Sequence, residues 1–513
     1  MNAYVDGLAA LAEPTTVLCL LAGLAVGTLV GVFPGVTGSM AVALAAGFTL
    51  TLEPVQGLAV LLSIYVGANY GDRVPSILIN TPGTPAAIST TFDGYPLAKQ
   101  GKGGLALVVS AFATTGGILV SMVVFVLAAQ PIARFALEFG PAEMFALVVF
   151  GLTVMISISS RSLLKGALAG VAGLALATVG RDPITGDQRF TFGIGDLSSG
   201  LPFIAIIIGL FGIAELLDQI LTHRSTSARP VSSLGRYWPT RPELKGLRKP
   251  FASSAAIGTF VGVVPAAGGD IAGLVGWDRA RRMSKHPEQY GKGSLEGITA
   301  ADTASSATLG GSLTTTMALG IPGDSVMAVM IGSMVIWGLQ PGPALFTQNP
   351  DLVASIAGIM VIATVLSLAV GLVRMRGMVR LLDMPQHFLW AGILVFCVVG
   401  TYTTANSFYP IWIMLGAGFV GLVLKRTGFP PGPVVLGLLL GPLAESNLRR
   451  ALLIDSPVAL VTQPIAAVLL LLAVLSVVGP LVSRARARRR GRTSEPPTAD
   501  APADESDVRA GRR

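Results

Sequence analysis

Long apolar runs parted by short polar turns fill the chain from residue 15 to residue 482. A helix needs about 20 such residues to cross a bilayer core, and fewer when it packs inside a bundle. The pattern predicts helices at 15–33 and 38–51, flanking Pro34-Gly35 as a re-entrant hairpin. A longer segment, 57–92, is broken near Pro82-Gly83. Unbroken spans follow near 104–129, 141–158, 166–180 and 201–217, and then a polar, basic linker at 218–250. The plan then repeats, with a broken hairpin at 251–277, a broken segment at 298–340, and spans near 352–373, 387–403, 411–424 and 430–447. One further span, 457–482, closes the set.

The repetition is also visible residue by residue. GTLVGVFPGVTGSMA (27–41) and GTFVGVVPAAGGDIA (258–272) share 8 of 15 positions at an offset of 231, including Gly27/Gly258, Gly31/Gly262, Pro34/Pro265 and Gly38/Gly269. At an offset of 240, GDRVPSILINTPGT (71–84) pairs with GSLTTTMALGIPGD (311–324). Apolar stretches interrupted by Gly and Pro at corresponding places in two halves point to the binding site of a secondary transporter. Irregular backbone is tolerated inside a membrane only where protein buries it or a wet cavity meets it. The predicted fold class is an all-α polytopic membrane protein of two inverted-topology repeats with re-entrant hairpins and broken helices, about 11–12 spans in all. The expected division is 1–217 for the first repeat, 218–250 for a cytoplasmic linker, 251–450 for the second repeat, 451–483 for an extra transmembrane helix and 484–513 for a disordered cytoplasmic tail.

Composition agrees with a membrane class. Of 513 residues, 52% are hydrophobic and only 12% charged, against about 25% charged in soluble chains. The 62 glycines suit close helix packing in lipid. The first 14 residues lack a basic leader region, so the first apolar run is expected to remain in the mature protein. The net charge of +8 comes from loops and tail and is no nucleic-acid signal. Cys19 and Cys397 lie in apolar runs, and the three histidines show no ligand spacing, so no metal is assigned. Loop charge sets the expected orientation. The 218–250 linker and the tail from Arg484 are basic, hence cytoplasmic; the N-terminus carries Asp6 and Glu13 without a base, hence periplasmic. Equivalent loops of the two halves carry opposite charge bias, as inversion requires.

Each break frees backbone N–H groups and presents the positive end of a helix, which favours an anion. Substrate-binding candidates are therefore Pro34, Gly35, Gly38, Asn80, Thr81, Pro82, Gly83 and Thr84 in the first half, and Gly268, Gly269, Gly320, Pro322, Gly323 and Ser325 in the second. Intramembrane charge is expensive and marks function by default. Arg73 is a candidate to fork onto a substrate carboxylate, or else to neutralise Asp72 or a more distant acid. Asp72, Asp270, Asp302, Ser305 and Ser306 are candidates for coupling a cation or a proton, with helix capping as the plain alternative for Asp270 and Asp302. Asp324, directly after Pro322-Gly323, reads as a helix N-cap.

Several motifs carry a resemblance. GVFPGVTG, IYVGANYGDRVPSILINTPGTP, DGYPLAKQG, VGRDPITGDQRFTFG, SKHPEQYGKGSLEG, LGIPGDS and GLQPGP, in this order between about residues 20 and 480, resemble the large membrane subunit of tripartite tricarboxylate transporters. The resemblance implies a bacterial inner-membrane permease. It would work with a small membrane subunit and a periplasmic solute-binding protein, on a citrate-like di- or tricarboxylate, by symport driven by a Na+ or H+ gradient and with no other cofactor. Three departures stand out. Tyr70-Gly71-Asp72-Arg73 replaces the family's Gly-Gly-Ser after the tyrosine, and Pro265-Ala266-Ala267-Gly268 replaces Pro-Gly. Asp302-Thr303-Ala304-Ser305-Ser306-Ala307 replaces Glu-Ala-Ala-Asn-Asn-Ala. The competing function is an anion channel, or a transporter of a non-carboxylate solute, on the same fold. An intramembrane enzyme is disfavoured, because the spans hold no paired-His, Cys-His or carboxylate-dyad constellation.

Overall fold

Prolines and glycines punctuate the helices where the hydropathic pattern places their ends. The computed structural model describes residues 2–159, 162–182, 184–222, 234–265, 267–381, 386–454 and 459–489. The first half comprises α1 (Asn2–Ala9), α2 (Pro14–Val32), α3 (Gly38–Thr49), α4 (Pro54–Gly71), α5 (Arg73–Leu78), α6 (Ile88–Leu97), α7 (Gly103–Ala136), α8 (Pro141–Ser159) and α9 (Leu163–Ala177). A two-stranded hairpin, β1 (Gly180–Arg181) and β2 (Gln188–Arg189), precedes α10 (Phe203–Ile207) and α11 (Ala214–Thr222), which a π-helical turn joins. The second half comprises α12 (Arg241–Val263), α13 (Gly268–Met283), α14 (Leu295–Leu319), α15 (Ser325–Ile336), α16 (Leu345–Gln348), α17 (Pro350–Leu381), α18 (Gln386–Thr403), α19 (Tyr409–Thr427) and α20 (Pro431–Ile454), followed by α21 (Ala459–Thr462) and α22 (Pro464–Arg489). Proline opens α2, α4, α8, α17, α20 and α22, where its missing N–H costs nothing. Gly320 and Gly428 close α14 and α19 in the left-handed conformation. Among the described residues, five helices are long and apolar enough to cross a membrane. The protein is an all-α polytopic membrane protein.

Two boundaries differ from the hydropathic reading. Helix α12 begins at Arg241, inside the predicted linker. Glu243 reaches back to the Thr240 amide at 2.7 Å, so a polar capping box starts the helix before its apolar part. Helix α22 runs on to Arg489, because arginine is a good helix former. The remainder of the expected tail, 490–513, lies outside the described residues, as do 223–233 of the linker and Ala266 of the second break.

Glycine contacts fix the direction of the helices. Gly23, Gly27 and Gly31 of α2 lie against Val60, Ile64 and Ala68 of α4, so the two helices run parallel. Helix α3 must then run back, so α2 and α3 form a helical hairpin broken at Pro34-Gly35. The second half repeats this: Gly258 and Gly262 of α12 lie against Ala304 and Thr308 of α14. A Cβ on Gly71 would stand 2.5 Å from the Thr28 carbonyl oxygen, and one on Gly311 would stand 2.5 Å from that of Thr259. These are the same contact at the offsets found in the sequence. Side-chain contacts show α4 and α14 crossing antiparallel: Arg73 reaches Ser305, Asn69 reaches Ser306, and Tyr65 reaches Asp324 beyond the end of α14. The long helices are exchanged between halves. Gly310 of α14 donates to Ser121 of α7 at 3.2 Å, and Tyr70 of α4 packs on Gly371 of α17.

Two clamps tie loops down. Asp93 of α6 is fully buried and accepts from the amides of Gly291, Gly293 and Ser294 at 2.8, 3.1 and 2.8 Å, and from the Trp277 indole at 2.7 Å. At the β hairpin, Asp182 pairs with Arg449 at 3.0 Å, and Arg189 pairs with Glu445 at 2.8 Å. The amides of Ile184 and Thr185, then Arg449 and Arg189, hold the Asp182 carboxyl below the usual carboxylate range. A depressed acid contributes stability above its unfolded pKa of about 3.9, and that contribution disappears as pH falls through the lower folded value. Hydrogen exchange in 180–200 is therefore expected to be slow and flat from neutral pH down to about 5, after correction for intrinsic rates, and to accelerate below about 4. Protection unchanged down to the lowest pH tested would refute the clamp.

Candidate functional site

Tyr65, Asn69 and Arg73 sit at i, i+4 and i+8 on one face of α4–α5, and Asp302, Ser305 and Ser306 lie on a facing turn of α14. The antiparallel crossing brings these faces together. Arg73 is 3% exposed, and Asp72 and Asp302 are fully buried. The guanidinium meets Asp72 Oδ1 through Nη1 at 3.1 Å and Asp302 Oδ1 through Nε at 3.2 Å. Nη2 donates to Ser305 Oγ at 2.7 Å, Ser306 Oγ at 3.3 Å and Asn69 Oδ1 at 3.5 Å. Ser306 also donates to Asn69 Oδ1 at 2.9 Å. The Thr84 hydroxyl donates to Asp72 Oδ2, and the Thr90 hydroxyl donates to Asp302 Oδ1. The cluster thus holds two carboxylates for one cation.

Asp302 Oδ2 is buried, held by neither the guanidinium nor Thr90, with the Ser110 hydroxyl as its polar neighbour. The Tyr70 and Thr114 hydroxyls are buried without a hydrogen bond among the described residues, and together with Ser110 they line a small cavity that opens against Arg73. The rest of its wall is apolar, from Val74, Leu107, Ala111, Gly371 and Met378.

The break residues gather around this crossing to different degrees. Gly83 packs on Asp72, and its counterpart Gly323 packs on Ser312. Gly38 packs on Ala68, one turn from Asp72. Gly269 lies against Ser305, Thr308 and Ala86. Asp324 caps α15 through the Met327 amide at 2.9 Å, as its place after Pro322-Gly323 predicts, and Ser325 opens that helix. Thr84, aligned with Asp324, caps nothing: a 3-10 turn, Pro85–Ala87, stands between the first break and α6. The expectation that a helix starts directly after Pro82-Gly83 is corrected accordingly. The proline at the start of that turn leaves only a short step before Ile88 can begin the α-helix. Other candidates stand apart from the Arg73 cluster. Asn80 is exposed in a left-handed conformation, and the Thr81 hydroxyl turns back to the Ile79 carbonyl at 3.2 Å. Gly320 packs against Pro341. The Gly35 carbonyl next to Pro34 accepts from Gln219. Asp270 is exposed at the tip of the second hairpin beside Gly268, with no bond to Arg73.

Thr90, Tyr65 and Gln219 escaped the sequence reading. Tyr65 carries a legible signal, its i, i+4, i+8 register with Asn69 and Arg73. Thr90 and Gln219 carry none, since their partners lie 212 and 184 residues away. The structure also draws two of the three departures into one place: Asp72 and Arg73 meet Asp302, Ser305 and Ser306.

Comparison with known proteins adds four findings. The model of the "Tripartite tricarboxylate transporter TctA family" matches residues 17–436. The chain is 35% identical over 480 residues to an uncharacterized 52.8 kDa protein in the TAR-I ttuC' 3' region of Agrobacterium vitis, covering 93% of this chain and 95% of that one. It is 33% identical over 234 residues to an uncharacterized protein in the TAR-II ttuC' 3' region of the same organism, covering 45% of this chain and 97% of that one. No solved structure matches.

Proposed function

The chain belongs to the tripartite tricarboxylate transporter TctA family, and from that premise we propose that it is the permease subunit of a binding-protein-dependent, proton-driven importer of a di- or tricarboxylate. It would sit in the bacterial inner membrane with its N-terminus periplasmic and its C-terminus cytoplasmic. A small membrane subunit and a periplasmic binding protein would complete the system. The Arg73 cluster is the observation that carries the proton assignment. Two carboxylates share one guanidinium at the crossing of the two repeats. An uncompensated buried charge costs several kcal/mol, so the surplus negative charge calls for a proton. Asp302 suits that proton best, because Arg73 and Thr90 both meet its Oδ1, which leaves Oδ2 toward the Ser110 hydroxyl, itself on the cavity wall. The antiparallel crossing of α4 and α14 supports an inverted-repeat carrier, in which the site lies between two bodies that move against each other. Half-helix ends at Gly38, Gly269 and Ser325 would offer N–H groups to the substrate carboxylates.

The test is uptake by vesicles holding both membrane subunits, with the binding protein added outside and labelled citrate as the first probe. Accumulation above the external level is expected, unchanged when Na+ is replaced by choline and abolished by a protonophore. Flux that only equilibrates would favour the channel reading. Accumulation that requires Na+ would overturn the proton assignment.

A further inference from the structure

The Arg73 guanidinium sits in a cage of oxygens. Asp72 Oδ1, Asp302 Oδ1, Ser305 Oγ, Ser306 Oγ and Asn69 Oδ1 surround it at 2.7 to 3.5 Å. Two of the five oxygens are anionic and three are neutral, and they come from both repeats. All-oxygen sets of this kind are what hard metal cations select. No other basic side chain pairs with Asp72 or Asp302 among the described residues. The centre of the cage is filled by a charge covalently attached to the chain.

We propose that Arg73 is a tethered cation, holding the place that a free Na+ would otherwise occupy between the repeats, and that it thereby sets the coupling-ion specificity. The inference deepens the reading of a gradient-driven carrier and rests on it. A guanidinium never loses its proton under working conditions, and its covalent link keeps it from being released with the substrate. It therefore neutralises one of the two acids without taking part in an ion gradient. The proton site at Asp302 remains as the exchangeable charge. The cation is present in one repeat only: the position aligned with Arg73 is Leu313, which is fully buried. Replacing the guanidinium by a methyl group would leave the two acids, the serines and the asparagine facing an open space of cation size.

The experiment is thermal unfolding of the purified full-length Arg73→Ala variant in detergent, in choline chloride titrated with NaCl, KCl or low-millimolar guanidinium chloride. The midpoint is expected to be low in choline and to rise with each tenfold increase in Na+ or guanidinium, as a ligand specific to the folded state requires. The unaltered chain and Arg73→Lys, which keeps a tethered charge, are expected to show no such rise. A flat response of Arg73→Ala, or an equal rise in the unaltered chain, would overturn the proposal. If Arg73→Ala is recovered from membranes only when they are solubilised in Na+, the proposal stands. If it is recovered in neither salt while Arg73→Lys is recovered, the cage cannot hold a free cation and the proposal fails. The readout needs no substrate, so a failure of carboxylate uptake leaves it interpretable. A flat cation response would in turn leave carboxylate uptake untouched.

Discussion

With Asp302 replaced by asparagine, accumulation of labelled carboxylate is expected to fall to background while exchange of labelled for unlabelled substrate persists. Asparagine has the shape of aspartate and keeps an oxygen for the Thr90 hydroxyl. It removes one negative charge, so Arg73 and Asp72 then balance. The fold is expected to survive, since neutralising the surplus charge removes a buried cost rather than adding one. What disappears is the proton-binding group. A carrier locked in the neutral form can still exchange substrate across the membrane but cannot draw on a gradient. Measuring accumulation and exchange in the same vesicles separates the two. Unimpaired accumulation in Asp302→Asn would remove Asp302 from the coupling role and leave Asp72 as the candidate. Loss of both activities, with an intact unfolding transition, would assign Asp302 to substrate passage rather than coupling.

The second large effect is steric. Valine at Gly71 or Gly311 is expected to leave no folded protein in detergent extracts, and alanine is expected to destabilise by about 1–3 kcal/mol. At both positions the added Cβ would stand 2.5 Å from a carbonyl oxygen of the parallel helix, and the nearest obstacles are backbone. Backbone cannot rotate away as a flexible side chain does, and the helix pair would have to separate along its length. Gly392 and Gly416 are the controls, because a Cβ there meets nothing within 4 Å. Alanine at these two is expected to be neutral or to stabilise, by up to about 1 kcal/mol, through helix propensity. Unfolding midpoints of the four alanine variants decide the matter. Equal midpoints would mean that the glycine seams are not what holds each hairpin to its partner helix.

The spans were legible because lipid imposes one rule on every residue it touches, and because Pro and Gly mark the ends from within a local window. The break between α2 and α3 was legible from Pro34-Gly35. The pairing inside the site was only partly legible. Arg73 had to have a standing partner, and Asp72 was its obvious neighbour in the chain. That Asp302 shares the guanidinium depends on the angle at which α4 and α14 cross, which neither helix encodes alone. The same holds for Thr90 with Asp302 and Tyr65 with Asp324. Asp270 resembled Asp302 in the sequence, yet it lies exposed at a hairpin tip. The two differ in how neighbouring helices cover them, and an apolar count along one helix carries no record of that.

The Asp93 clamp bears on mechanics. The carboxylate belongs to the first half of the chain, and its four donors belong to the second half. Beside it, Gln100 donates to the Lys292 carbonyl at 2.8 Å, again across the two halves. Four donors converging on one buried carboxylate resist shear in every direction, since any slip strands an N–H group. In a carrier whose two halves move against each other, that point would serve as a fulcrum. If the two halves rock against each other, as the proposed carrier requires, displacement would grow with distance from Asp93. Opening would then be widest at the end of the bundle farthest from Asp93, and the clamped end would move least.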